Sequence, residues 1–485
     1  MDYKWKALSV TSVGSLMAAI DSTIVLLALL PIAEDLNSDF VTMIWVIIAY
    51  LLVNTSFVLS LGRMGDMYGR KRMYNTGFVV FTIGSVFCGI SPNADYLVAF
   101  RAVQGFGSAL LIANSFAIIS EAFEPRERGR AFGIIAVVWG AGSVLGIVLG
   151  GIIISITSWR FIFLINLPIG IFATIWARIT LHRSHRYAAE ETFDLAAAMF
   201  FTLTIVMLLL GVTWGLLNTW TDPLTLAFFG LCPVFFIIFV LWELRISKDP
   251  IIDFNVFRNR VFSFSVTTAA LQSLSLFSVN FLLVFYLEGI VGLDILTASY
   301  LIVPAAVATA IVGPFGGIVS DKFGARRIAT LGLIVQAGAL LALATLTTKS
   351  SIFQVGVIEA FYGLGAGLFF PANTSAIMSS SPPKMYGVTS GIMNTLRNTG
   401  MVLSFGLTLV AISDVVPRNI LFQLFIGTLE GGLPHGLATE YLAGQRFAFT
   451  LSAVLLGAAI VLSAIRGRSA HETKPSAASP APRNP

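Results

Sequence analysis

Four ionisable side chains stand inside long apolar stretches of this sequence: Asp21, Arg101, Glu359 and Arg397. A charge at the middle of a bilayer costs about 2.5–3.5 kcal/mol on insertion scales, so each needs a partner, water or a task. All four histidines (His182, His185, His435, His471) lie outside those stretches. Protons crossing an apolar barrier would therefore have to ride on carboxylates. Burial favours the neutral form of a carboxyl and a neighbouring cation favours the ionised form. A movable contact with Arg101 could thus switch Asp21 between two protonation states; a static ion pair that fixes helix packing is the alternative. Glu359, just before the glycine-rich GLGAG at Gly363, is either a second proton or cation site or a water-facing group near the outer mouth. Arg397 and Asn394, one turn apart, can project to the same side of a helix, as cavity lining or as structural hydrogen bonders. Tyr50, Asn54, Asn280, Phe361 and Asn373 are further candidates for lining a substrate cavity, although a Phe in such a stretch more often faces lipid. The sequence has no GxxxxGK[ST] loop, no metal-ligand spacing and no Ser-His-Asp set, so no nucleotide, metal or other cofactor is expected and the chain is not read as an enzyme.

A second set of polar residues recurs. Gly62 to Arg72 read GRMGDMYGRKR and Gly317 to Arg327 read GIVSDKFGARR. Gly62, Asp66, Gly69, Lys71 and Arg72 return at an offset of 255 residues as Gly317, Asp321, Gly324, Arg326 and Arg327. Arg70 lies within the first copy. Topology charge explains part of the basic cluster but not why Gly and Asp keep their spacing. A carboxylate at the end of an apolar block can pair with basic residues or with a neighbouring helix N-terminus, forming a latch that domain rocking would break.

The elements that must position these groups are membrane helices. The 485 residues are 56% hydrophobic and 11% charged, against roughly 25% charged in soluble domains. The apolar residues fall in blocks long enough to cross a hydrocarbon core of about 30 Å. Fourteen spans are expected, near 8–30, 44–61, 74–92, 96–120, 131–156, 160–178, 194–214, 223–242, 261–287, 297–319, 328–346, 353–378, 386–412 and 444–465. Twenty-four of the 30 Lys and Arg fall on the side that carries both termini, which predicts cytoplasmic termini by the positive-inside bias. The positive net charge is then mostly topology signal, and no nucleic-acid partner is needed. Seven of the eight tryptophans lie near span ends, where amphipathic rings favour the interface. Cys88 and Cys232 sit in apolar blocks, with no disulfide framework.

The duplication extends further: Gly129, Gly133 and Gly142 return as Gly387, Gly391 and Gly400 at an offset of 258. The expected organisation is a six-helix half (1–180), two inserted linker helices (181–245), a second six-helix half (246–466) and a disordered tail (467–485). Residues 413–443 read as a long outer loop. Gly142, Gly146, Gly150 and Gly151 form a ladder of small residues suited to close helix approach.

On these residues the chain resembles the major facilitator superfamily, in its fourteen-span drug:proton antiporter branch, over nearly its whole length. The stretches that carry the likeness are DSTIVLLAL from Asp21, the loop Gly62 to Arg72, RAVQGFG from Arg101, WRFIFLINLPIG from Trp159 and FRNRVFS from Phe257. Ile147, Leu26 and Leu30 depart from the branch, where proline, asparagine and proline are common. The resemblance implies an all-α major facilitator fold with a central cavity, proton coupling through Asp21 and Arg101, and a cytoplasmic latch that holds the outward-open state. It further implies a monomer in the cytoplasmic membrane that exports amphipathic small molecules against protons. A narrow-specificity metabolite or organic-anion carrier on the same fold is the alternative, favoured if Arg101 and Arg397 both faced the cavity. A non-transporting membrane sensor is a remote one.

Overall fold

Glycine and other small residues decide where the helices meet. The computed structural model describes residues 2–182, 191–293, 295–413 and 435–467. A first set of helices comprises α1 (Tyr3–Asp35), α2 (Phe40–Tyr68), α3 (Arg70–Gly89), α4 (Ala94–Ala122), α5 (Arg128–Ile156) and the broken pair α6 (Arg160–Leu164) and α7 (Asn166–Thr180). A hairpin of α8 (Leu195–Leu217) and α9 (Pro223–Arg245) follows. The last set is α10 (Arg260–Phe285), α11 (Ile295–Tyr300), α12 (Val303–Phe323), α13 (Ala325–Leu343), α14 (Ile352–Ser379), α15 (Tyr386–Ser413) and α16 (His435–Ile465). Eleven helical segments among the described residues are long and apolar enough to cross a membrane.

Local sequence sets the ends. Asn93, Asp194, Asp222, Asn259 and Ser351 each accept a first-turn N–H at the start of a helix, as short polar N-caps do. The chain passes from α2 to α3 through Gly69 (φ 99°) and from α12 to α13 through Gly324 (φ 95°). These angles are open to glycine and strained for other residues.

Within the first set, α2 and α3 flank α4 and α1 packs along α5; in the last set, α12 and α13 flank α14 and α10 packs along α15. The two sets meet along two seams, α2 with α15 and α5 with α12. The seams are lined by the repeated glycines. Gly62 abuts Gly387 and Gly391 abuts Leu59; across the other seam Gly129 abuts Gly317 and Gly133 abuts Gly313, so close that a Cβ would meet the opposing backbone. Gly142, Gly146 and Gly150 seat α5 on Ala19, Ile20 and Ile24 of α1. Gly151 does not extend that ladder: nothing lies within 4 Å of a Cβ built there, because one further residue turns the helix face by about 100°. The α8–α9 hairpin leans through α8 on both α2 and α15. The expected outer loop is partly helix, since α16 begins at His435. Residues 414–434 and the tail beyond Gly467 lie outside the described residues.

Candidate functional site

Asp21 is buried on the side of α1 that meets α4 and α7, inside the first helix set. Its Oδ2 accepts from Arg101 Nη1 at 2.7 Å and its Oδ1 from Gln104 Nε2 at 2.7 Å. Arg101 Nη1 also donates to Gln104 Oε1 at 2.6 Å, and its Nε to the Val46 carbonyl at 3.1 Å. Tyr50 covers the guanidinium, ring to cation 4.3 Å, and donates its hydroxyl to Ser108 Oγ at 2.7 Å. Asn166 reaches in from the start of α7, 3.5 Å from Asp21 Oδ1 and 3.0 Å from Ser85 Oγ. Asn166 follows the break between α6 and α7, just before Pro168, which has no backbone N–H to continue the helix. On the other side of that break Trp159 and Arg160 fix the WRFIFLINLPIG stretch to Asp35 at 3.0 and 3.1 Å. Gln104 and Asn166 escape a reading of the sequence, because neutral amides inside apolar blocks carry no charge to mark them.

The repeated loops form two matching contacts at the end of the molecule where α1 begins and α16 ends. Asp66 accepts from the N–H groups of Gly387 and Val388, at 3.0 and 3.1 Å, where α15 begins. Asp321 accepts from those of Gly129 and Arg130, at 3.0 and 2.9 Å, where α5 begins. Each carboxylate thus satisfies unpaired first-turn donors of a helix in the opposite set. The contacts differ in one respect. Asp66 is also held by Arg70, at 2.8 Å, which in turn binds Glu121 at 2.8 Å and the Pro383 carbonyl. In the second copy Ala325 stands where Arg70 does. Lys71 reaches the Leu181 carbonyl, whereas the Arg326 side chain has no hydrogen-bond or ion-pair partner among the described residues.

Arg128, read from sequence only as topology charge, ties the same end together. It donates to Tyr386 Oη at 2.7 Å, the Ser120 carbonyl at 2.6 Å, Ser379 Oγ at 3.2 Å and the Met378 carbonyl at 3.3 Å. Arg128 and Tyr386 are themselves equivalent by the 258-residue offset.

Other candidates scatter. Asn398 Nδ2 donates to Asn54 Oδ1 at 3.1 Å and so joins α15 to α2, while Asn54 Nδ2 donates to Ser108 Oγ at 3.0 Å. Asn373 is buried: it donates to the Ser265 carbonyl at 2.9 Å and accepts from Arg466 at 2.8 Å. Asn394 turns back to the Ser390 carbonyl of its own helix at 2.8 Å. Phe361 is 55% exposed and lies about half a turn round α14 from both Glu359 and Phe370. The Asn280 side chain lies outside the described residues.

Two charged groups stand apart. Glu359 is fully buried on α14, and neither carboxyl oxygen has a hydrogen-bond partner among the described residues. It shares its face with Gly356 and Gly363, which sit against Pro304 and Ala305 of α12. Arg397 of α15 lies over the Phe370 ring of α14 at 4.7 Å. Phe370 in turn meets Phe116 of the first set edge-on at 6.5 Å.

The chain matches the Major Facilitator Superfamily over residues 11–405. It is 32% identical over 425 residues to the riboflavin transporter RibZ of Clostridioides difficile, covering 87% of this chain and 90% of that one. It is 29% identical over 420 residues to the multidrug transporter protein MdtP of Bacillus subtilis, covering 86% and 77%. Among solved structures it resembles the proton:xylose symporter XylE, with a TM-score of 0.65 at 13% identity over 95% of this chain and 94% of that one. A pseudo-symmetric helical scaffold whose relatives are transporters is a multi-pass membrane transporter and not an enzyme, and this chain belongs to the Major Facilitator Superfamily.

Proposed function

We propose that this protein is a proton-coupled carrier of the fourteen-span drug:proton antiporter branch that exports amphipathic small molecules across the cytoplasmic membrane by alternating access. The observation that carries the reading is the buried Asp21–Arg101–Gln104 network inside a scaffold latched at one end. The fourteen spans are the eleven segments above together with α3, α10 and α15. The latched end carries the basic loops, so it faces the cytoplasm and the state is outward-facing. In support, Leu26 and Leu30 of α1 are 51% and 47% exposed on the face left free by α4, α5 and α7, as the wall of an open outer vestibule would be.

In this reading a proton reaching Asp21 releases Arg101, loosens the hold on α2 at Val46, and lets substrate leave outward. Glu359 is a second acid group. An ionised carboxylate at that depth without a partner would cost several kcal/mol. Homologues named as multidrug transporters support export of drug-like solutes. The relation to a riboflavin transporter favours a second reading, a carrier for one planar metabolite.

The test is proton flux in proteoliposomes with an imposed pH gradient and a panel of lipophilic cations, neutral drugs and organic anions. Substrate-triggered collapse of the gradient is expected, lost in Asp21→Asn. The double variant Asp21→Asn/Arg101→Gln guards against misfolding from an unpaired arginine. Full coupling in either variant excludes Asp21 as the proton site.

A further inference from the structure

Each arginine buried among the described residues has a hydrogen-bond or ion-pair partner. Arg70 binds Asp66 and Glu121, Arg101 binds Asp21 and Gln104, Arg128 binds hydroxyls and carbonyls, and Arg466 binds Ser265 and Asn373. Arg397 is different. It is partly exposed in the middle of α15, and among the described residues it makes no hydrogen bond and no ion pair. Its guanidinium carbon lies over the Phe370 ring.

The place of Arg397 on α15 is set by its neighbours. Gly391 and Asn398 face α2, while Gly400 faces α10. Arg397 projects between those two faces, toward α14 and the junction of the two helix sets, where Phe370 meets Phe116. Trp139, its counterpart by the internal repeat, packs on the core cluster that also holds Phe116 and Met393. A guanidinium over a ring gains cation–π attraction through its charge and leaves N–H edges to donate in its own plane. Those edges match an oxyanion with two oxygens, such as a carboxylate or sulfonate, and the surrounding rings match an aromatic body. A cation would meet repulsion at this point.

We propose that Arg397, laid on Phe370, is the recognition point for the acidic group of amphipathic aromatic anions, so the preferred substrates are anionic. The assignment rests on the transport reading above, but binding tests it without any proton gradient.

The experiment is calorimetric titration of the full-length protein in nanodiscs with 2-naphthoate and, for comparison, 2-naphthalenemethylammonium. The wild type is expected to bind the naphthoate about tenfold or more tightly than the ammonium ion. Arg397→Gln should lose that preference, Arg397→Lys should keep part of it, and Phe370→Leu should weaken naphthoate binding. A wild type that binds the ammonium ion equally well, or binds neither probe, overturns the assignment, whatever the variants do. So does naphthoate binding unchanged in a folded Arg397→Gln, which would make Arg397 a conformational group. Naphthoate that binds through Arg397 yet moves no protons would instead sink proton coupling and leave the anion site standing.

Discussion

A buried carboxyl with no donor beside it and a buried carboxylate with several behave differently when replaced. Glu359 has no hydrogen-bond partner among the described residues, so Glu359→Gln keeps the side chain's shape and breaks no bond. Its thermal midpoint in detergent should match the wild type. Asp21→Ala removes the counter-charge of Arg101, and breaking a buried pair costs about 3–5 kcal/mol. The same melting experiment should show that variant far less stable. If Glu359→Gln proves the more destabilised, its carboxylate is ionised and paired in the folded protein. The pairing of Asp21 with Arg101 was legible in sequence because opposite charges in apolar blocks are rare and must compensate each other. Gln104 and Asn166 were not, and neither were the partners of Tyr50 and Asn373 or the exposed setting of Phe361. What a polar or aromatic residue faces depends on which helix packs beside it, and composition carries no record of that.

At the scale of the element, the two loops are copies with unequal locks. Asp66 bonds a helix start and an arginine; among the described residues Asp321 bonds only a helix start. Asp321→Asn keeps the shape and loses one charge–dipole contact, worth about 0.3–1 kcal/mol up to about 2 where partly buried. Asp66→Asn also strips Arg70 of its fully buried carboxylate and should shift the conformational balance further. Cysteines placed along the latched end, probed with an impermeant thiol reagent, should become more accessible in Asp66→Asn than in Asp321→Asn. Equal accessibility would mean that Arg70 adds nothing to the lock. Gly317→Val should open the α5–α12 seam outright, since its Cβ would meet the Gly129 backbone. The repeat was readable in sequence, and so was the need for glycine beside the carboxylate. The partner of each copy was not: Gly62 meets Gly387 and Gly317 meets Gly129. Those pairings follow from a twofold relation between the sets, which a pattern along one strand of sequence does not express.

For the whole molecule, charge movement follows from the proposed substrate. Sending an anion outward while a proton comes inward carries two charges the same way across the membrane, each worth about 2.3 kcal/mol per 100 mV. An inside-negative potassium diffusion potential should therefore speed export of 2-naphthoate from vesicles. A rate indifferent to potential would point to electroneutral exchange. The inserted hairpin has a consequence of another kind. Because α8 rests on both α2 and α15, it spans one of the two seams like a splint, and Thr202 even reaches the Ser56 carbonyl at 3.4 Å. Among the described residues no helix covers the α5–α12 seam in the same way. A lipophilic solute dissolved in the bilayer would thus find one flank of the carrier walled and the other bare, and sideways traffic between lipid and the central chamber would be one-sided in a molecule whose core is nearly symmetric.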